Sequence, residues 1–363
     1  MENTEFDINT LLRMCVDDGV SDIHLRYGVS PAVRKNGKIL KTKMPPVTEE
    51  NMIKAIEATI PENLRSKINT DYDIDYSYEI KGVSRFRFNV GRVLGKHMIV
   101  VRMIPSIIPT FEDLKLPSQL EHFTDLNNGI IIVTGQTGSG KTTTIASMLN
   151  FINNNFQKHI ITLEDPIEFV FEPAKSVISQ RQLLVDTKSF PDGVKYALRQ
   201  DPDVILIGEM RDRETVNSAL KAAETGHLVF TTLHTNDTVQ TINRIINFFE
   251  PSDRDSVRNQ IAETLRGVIA QKLVVTSDGQ GRVPACEIMT STPAVKDFIM
   301  KDQLSDIYEL VRQGGYSDMI TMNMALYQWY QQGVVTEDEI ISKSDQVNEL
   351  KQMLRGVYRG LKS

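Results

Sequence analysis

The chain has 363 residues, 40% of them apolar and 24% charged, which suits a globular protein of two domains, or two plus an extension, and excludes disorder over most of its length. A formal net charge of −6 argues against a protein devoted to holding nucleic acid. No stretch approaches the roughly 18 apolar residues of a membrane span, and MENTEFDINT lacks the apolar core of a signal peptide, so no direct membrane insertion is expected.

Residues 1–104 read as a small α/β domain. Asp7 can cap a helix whose apolar stripe is Ile8, Leu11, Leu12, Cys15 and Val16, ended by Gly19. Ile23, Leu25 and Tyr27 alternate with His24 and Arg26 at strand spacing, and Asn36-Gly37 signals a hairpin. A second helix spans Glu49 to Thr59, stopped by Pro61, and further strands follow over 71–104. There Phe86, Phe88 and Val90 share one face, which puts Arg85 and Arg87 on the other. Pro105, Pro109 and Pro117 mark a proline-stiffened linker over 105–120. From 121 to 275 β and α segments alternate. Aliphatic runs at 130–134, 159–163, 204–207 and 228–232 suit buried parallel strands. Helical stripes follow at Val239, Ile242, Ile245, Ile246 and Phe249, then at Val257, Ile261, Leu265 and Val268. Asp278-Gly279 marks a hairpin, and 276–363 reads as mostly helical. Cys15 and Cys286 belong to no metal-spaced pair and read as buried reduced thiols.

The strongest chemical signal is Gly135-Gln136-Thr137-Gly138-Ser139-Gly140-Lys141-Thr142, which matches the phosphate-binding loop G-x-x-x-x-G-K-[ST] at every fixed position. Glycines let the backbone curl so that its N–H groups point at phosphate oxygens, and the helix beginning at Thr143 adds its positive end. Lys141 then reaches the β- and γ-phosphates and the Thr142 hydroxyl meets Mg²⁺. Asp203-Val-Ile-Leu-Ile-Gly-Glu209 is an aliphatic strand that delivers Glu209 to the metal and phosphates. Ile160–Pro166 ends likewise in carboxylates. Glu164 could orient or deprotonate the attacking water and Asp165 could hold the metal's water shell, or both form an exposed acidic strand end. Two of the six histidines, His227 and His234, flank one further strand. A spacing of seven puts them on opposite faces, which disfavours a shared zinc. A histidine beside a γ-phosphate can donate a hydrogen bond to it; satisfied polar groups at strand ends are the structural alternative.

Taken in order, the loop, Ile161–Phe169, Leu198–Asp212 and Thr225–Asn236 resemble the secretion ATPase superfamily within the RecA-like NTPases. Leu265–Leu273 and the N-terminal segments Ser21–Leu25, Arg85–Asn89 and Val101–Pro105 extend the resemblance over nearly the whole chain. Within the superfamily the chain is most similar to the type IV pilus retraction ATPases. Two cysteines cannot supply the tetracysteine insertion usual in the longer extension and type II secretion ATPases. One segment departs. The retraction signature Ala-Ile-Arg-Asn-Leu-Ile-Arg-Glu stands here as Ala294-Val-Lys-Asp-Phe-Ile-Met-Lys301, and lysine does not reproduce arginine's bidentate fork.

The resemblance implies a PAS-like N-terminal α/β domain and a C-terminal RecA-like P-loop ATPase domain (121–363), with its core over 121–275 and a helical extension. It implies a cytoplasmic homohexameric motor, ATP and Mg²⁺ as cofactors, and an inner-membrane platform protein (PilC-like) as partner at the pilus base, where the motor is peripherally associated. Paralogous pilus ATPases are further possible partners. In that reading Lys141, Glu164, Glu209 and His234 act in catalysis. Residues 135–143, Arg87, Arg102 and His227 contact nucleotide, with Arg85 a weaker candidate. Thr142, Asp165 and Glu209 hold the metal. Hydrolysis would turn the N-terminal domain about the linker. The alternatives are a short extension or secretion ATPase, an accessory (PilU-like) retraction subunit, a non-hydrolysing regulatory subunit, and a DNA-translocating motor.

Overall fold

The computed structural model describes residues 6–35, 37–104, 107–313 and 318–356, and divides into two compact units, Met1–Ile107 and Ile108–Ser363. Asn36 and Pro105, invoked above for a hairpin and a linker, lie outside the described residues.

In the first unit Asp7 caps α1 (Ile8–Asp17), its carboxylate accepting from the Asn9 and Thr10 N–H groups at 3.3 and 2.9 Å. Strands β1 (Asp22–Arg26), β2 (Ala32–Lys35) and β3 (Lys38–Lys41) follow, with Gly37 in the left-handed region between the last two. Then come α2 (Glu49–Thr59), opened by a reciprocal Thr48–Asn51 capping box, and β4 (Ile74–Ile80), β5 (Ser84–Val93) and β6 (Lys96–Ile104). The strands form one antiparallel sheet in the order β3-β2-β1-β6-β5-β4. Alternation decides its faces. Ile23, Leu25, Phe86, Phe88, Ile99 and Val101 bury against the apolar stripes of α1 and α2. The alternate positions of β5 and β6 carry Arg87 and Arg102, which pair directly across the strands.

The second unit opens with short helices α3 (Phe111–Leu114) and α4 (Glu121–Thr124). Residues 108–120, part of the segment read as a proline-stiffened linker, group with the second unit. Phe111 and Leu120 are buried, Phe111 stacks edge-on against Phe151, and burying such rings anchors the segment to the second unit. Next come β7 (Gly129–Thr134), α5 (Lys141–Asn155), β8 (His159–Glu164), β9 (Val177–Gln182), α6 (Phe190–Ala197) and β10 (Val204–Ile207). They are followed by α7 (Arg213–Glu224), β11 (Leu228–Leu233), α8 (Thr238–Ile246), α9 (Arg254–Thr264), β12 (Leu265–Val275) and β13 (Arg282–Thr290). The sheet order is β13-β12-β7-β11-β10-β8-β9, parallel except for the β12–β13 hairpin. Both faces are covered. α5 packs with Ile131, Val133, Ile160 and Phe230 on one side, and α6 to α9 pack with Ile132, Ile161, Ile205 and Val229 on the other.

Two expectations are corrected here. The helical stripe through Leu265 and Val268 is broken, because α9 ends at Thr264 and both residues enter β12 beside β7. An apolar run is equally at home on a helix stripe and in a buried strand, and the sheet edge offered by β7 decides it. The segment 276–363 is also not helical from its start, since β13 completes the sheet out to Thr290. Helices α10 (Pro293–Met300), α11 (Leu304–Gln313), α12 (Met322–Gln331), α13 (Glu337–Lys343) and α14 (Val347–Leu354) then close the unit. The divergent segment is α10. Val295 and Ile299 are buried as the pattern requires, while Lys301 pairs with Asp297 at 2.7 Å on its outer face.

Candidate active site

Strands β7, β8, β10 and β11 run parallel, so the residues that follow each of them gather along one edge of the sheet. Gly135 follows β7, Asp165 follows β8, Glu209 follows β10 and His234 follows β11.

The loop 135–140 is closely held. Gly135 has φ +144°, and a Cβ there would lie 2.4 Å from the Gln271 carbonyl oxygen and 2.6 Å from Ser139 Oγ, so only glycine fits. Gln271, on β12, donates from Nε2 to the Ser139 carbonyl at 2.7 Å and accepts from Thr144 Oγ at 2.7 Å, which clamps the loop to the first turn of α5. Ser139 Oγ is buried with no hydrogen-bond partner. Lys141 is buried inside the loop, its Nζ donating to the Gly135 and Gln136 carbonyls at 2.8 and 3.2 Å. Burial pulls its pKa down, and the negative charges of Glu209 and Glu168 oppose that pull. Thr142 and Thr143 lie in the first turn of α5, half-buried. A buried ammonium, an unpartnered hydroxyl and a helix N-terminus that converge on a loop with no room for a side chain fit a phosphate group.

Glu209 is salt-bridged to Arg211 at 2.5 Å, and its other oxygen lies 3.5 Å from His234 Nε2. Glu164 is buried, one oxygen accepting from Thr162 Oγ at 2.6 Å and from Gln180 Nε2 at 3.2 Å. Burial pushes its carboxyl above the usual range. Glu164 is therefore not an exposed acidic strand end, whereas Asp165 is exposed.

His227 is not brought to this edge. It precedes β11, whose six residues rise about 3.3 Å each, so the strand's length separates it from His234. The two histidines lie at opposite ends of the strand. His227 Nδ1 donates to the Ala222 carbonyl at 3.0 Å and closes the end of α7. In the N-terminal unit Arg87 lies 3.6 Å from Asp75 and Arg102 lies 3.0 Å from Asp22, so each arginine has an acidic partner within its own unit.

Sequence reasoning assigned no role to Gln271, Glu168 or Arg211. Gln271 had a signal: it is a buried amide inside the apolar run of β12. Glu168 and Arg211 are ordinary surface residue types whose meaning comes from position.

Fold and site together define a P-loop ATPase: a nucleotide-binding domain on a mainly parallel sheet, with an acidic residue and a histidine at the same sheet edge as the loop. The family model for the Type II/IV secretion system protein matches residues 4–342, and the chain belongs to that family. The chain is 40% identical over 341 residues to the type IV pilus retractation ATPase PilT of Pseudomonas aeruginosa, which covers 93% of this chain and 98% of that protein. It is 35% identical over 349 residues to the type IV pilus ATPase PilU of the same organism, covering 96% and 91%. A crystal structure of the pilus retraction motor PilT with bound ADP superposes with a TM-score of 0.89 at 42% identity, over 96% of this chain and all of that one.

Proposed function

We propose that this chain is the ATP-hydrolysing motor of type IV pilus retraction, working as a homohexamer against an inner-membrane platform protein. The observation that carries the reading is the buried Lys141 in its glycine loop, opposite Glu209 and His234, within a chain that is similar to PilT along nearly its whole length. The loop N–H groups and Lys141 bind the β- and γ-phosphates of ATP. Glu164, a carboxylate whose proton affinity is raised by burial, orients the attacking water and accepts its proton. His234 donates to the γ-phosphate and signals its presence to Glu209. Thr142 and Glu209 would hold Mg²⁺, with Asp165 beside them, and the ion would supply neutralisation of the phosphates' charge. Arg87 and Arg102 are the N-terminal unit's candidates for phosphate contact. Among the described residues no helix is long and apolar enough to cross a membrane.

The test replaces Lys141 with alanine in the only cellular copy and counts surface pili. More pili than wild type together with lost surface motility supports retraction. Bald cells would overturn it in favour of extension, and unchanged pili and motility would overturn it in favour of an accessory subunit. The second reading has a specific motive in α10, where Lys296, Met300 and Lys301 replace the charged positions of the retraction signature.

A further inference from the structure

Glu287 lies on β13, outside every motif discussed above, and is buried to 3% exposure. Its carboxylate joins two helices. One oxygen accepts from the Thr238 N–H at 2.9 Å and from Thr238 Oγ at 2.8 Å, at the first residue of α8. The other accepts from the Met322 N–H at 3.2 Å, at the first residue of α12. Each helix already has an ordinary cap, Asp237 for α8 and Thr321 for α12, so Glu287 is additional to both. Burying a carboxylate is unfavourable unless its oxygens are satisfied, and here both N-terminal dipoles and a hydroxyl satisfy them.

What lies beyond each helix end gives the arrangement its meaning. α8 begins four residues after His234. Thr235 is tied to the strand that enters the phosphate loop: its N–H donates to Thr134 Oγ at 2.9 Å and the two hydroxyls meet at 2.6 Å. The Thr235 hydroxyl also meets Thr241 Oγ of α8 at 2.7 Å. Thus α8, Thr235 and the end of β7 form one connected set around His234. On the other side, the segment entering α12 exchanges two backbone bonds with β13, Ile288 N–H to Ile320 O at 2.8 Å and Ile320 N–H to Ile288 O at 3.0 Å. α12 then packs with α13, α14, β12 and β13 in a core of their own. Glu287 is the polar joint between that core and the His234 end of the phosphate site.

We propose that Glu287 is a positioning residue for nucleotide turnover, holding the start of α8, and through it His234, in register with the start of α12, so that a displacement of the C-terminal helices is felt at His234. This rests on His234 facing the γ-phosphate, as in the function proposed above. The C-terminal helices thereby become an input to the ATPase site rather than a passive extension.

The experiment measures ATP turnover of the full chain, with kcat and KM separated, and affinity for a fluorescent ADP analogue, in wild type, Glu287→Gln, His234→Ala and the double variant. Glutamine keeps the shape and one acceptor oxygen but presents an amide donor to the Met322 N–H. The expected result is a fall in kcat of about tenfold or more for Glu287→Gln, because small misplacements of a catalytic group have large effects. ADP affinity, read at a diphosphate that lacks the γ-phosphate, should stay within about twofold, and the double variant should be no slower than His234→Ala, since groups acting through one another are non-additive. Unchanged kcat in Glu287→Gln, or losses that multiply in the double variant, would overturn the inference. If Glu287→Gln does not fold, Thr238→Ala removes one donor and leaves the backbone bond, and the same readouts decide. Failure of the functional reading looks different: wild type would itself lack turnover, or His234→Ala would turn over like wild type.

Discussion

Burial holds the Glu164 carboxyl above its ordinary value of 4.5, and the consequence is a pH-dependent stability. A group whose folded-state pKa is raised contributes stability below its unfolded value and loses that contribution as pH rises through the folded value. Glu164→Gln should therefore melt at a higher temperature than wild type at pH 8, and the gap should close as pH falls toward 4.5. Thermal unfolding of both proteins without nucleotide at pH 4.5, 6 and 8 checks this; a gap that does not vary with pH would contradict it. The same substitution removes the carboxylate proposed to activate water, so at pH 8 turnover should fall while the protein becomes more stable. Gln271 makes the opposite prediction. Gln271→Leu leaves the Ser139 carbonyl and Thr144 Oγ without their buried partner, at about 1–3 kcal/mol for each unmade bond. Because those groups shape the phosphate loop, ADP affinity should drop about tenfold or more along with the melting temperature, and a titration with ADP measures it. Undiminished affinity would mean that the loop holds its shape unaided.

At the scale of elements, local chemistry and burial agree through most of the chain. α1 forms where Asp7 supplies the cap and Ile8, Leu11, Leu12 and Cys15 the stripe, and all four of these are buried. Leu12 has no exposed surface, so Leu12→Ala should cost about 2–5 kcal/mol of the first unit's stability. Denaturant unfolding followed by circular dichroism tests this, and a loss below 1 kcal/mol would mean that the site collapses around the cavity. The parallel strands β7, β8, β10 and β11 were legible because residues apolar on both faces have no other home in a soluble sheet. β9 and β12 were not. β9 carries partly exposed, polar residues at the sheet edge, and β12 continues an apolar stripe without a break from α9. In both cases the neighbouring strand, not the segment's own pattern, selects the extended form.

For the whole molecule, the division into two units makes its stability divisible too. The single tryptophan, Trp329, lies on α12 and donates to the Pro284 carbonyl at 2.8 Å, so its fluorescence reports the second unit. ADP at about 100 times its dissociation constant should raise the stability seen by Trp329 by about 2.7 kcal/mol. Leu12→Ala should leave that transition in place. A shift of the tryptophan transition by Leu12→Ala would show that the two units unfold as one.

The sequence by itself determined the phosphate loop, the acidic strand ends, His234, and the order in which they occur, because each is written in contiguous residues whose chemistry needs no distant partner. It also determined that His227 and His234 flank a strand, but not which of them stands beside the phosphate loop; parallel packing of β11 between β7 and β10 decided that by assigning His234 to the shared edge. Tertiary structure likewise turned Gln271 into a clamp, Glu168 into a neighbour of Lys141, and Glu287 into the joint between α8 and α12. These roles depend on residues many positions away and on loss of water around a polar group, and a side chain's own sequence neighbours carry no record of either.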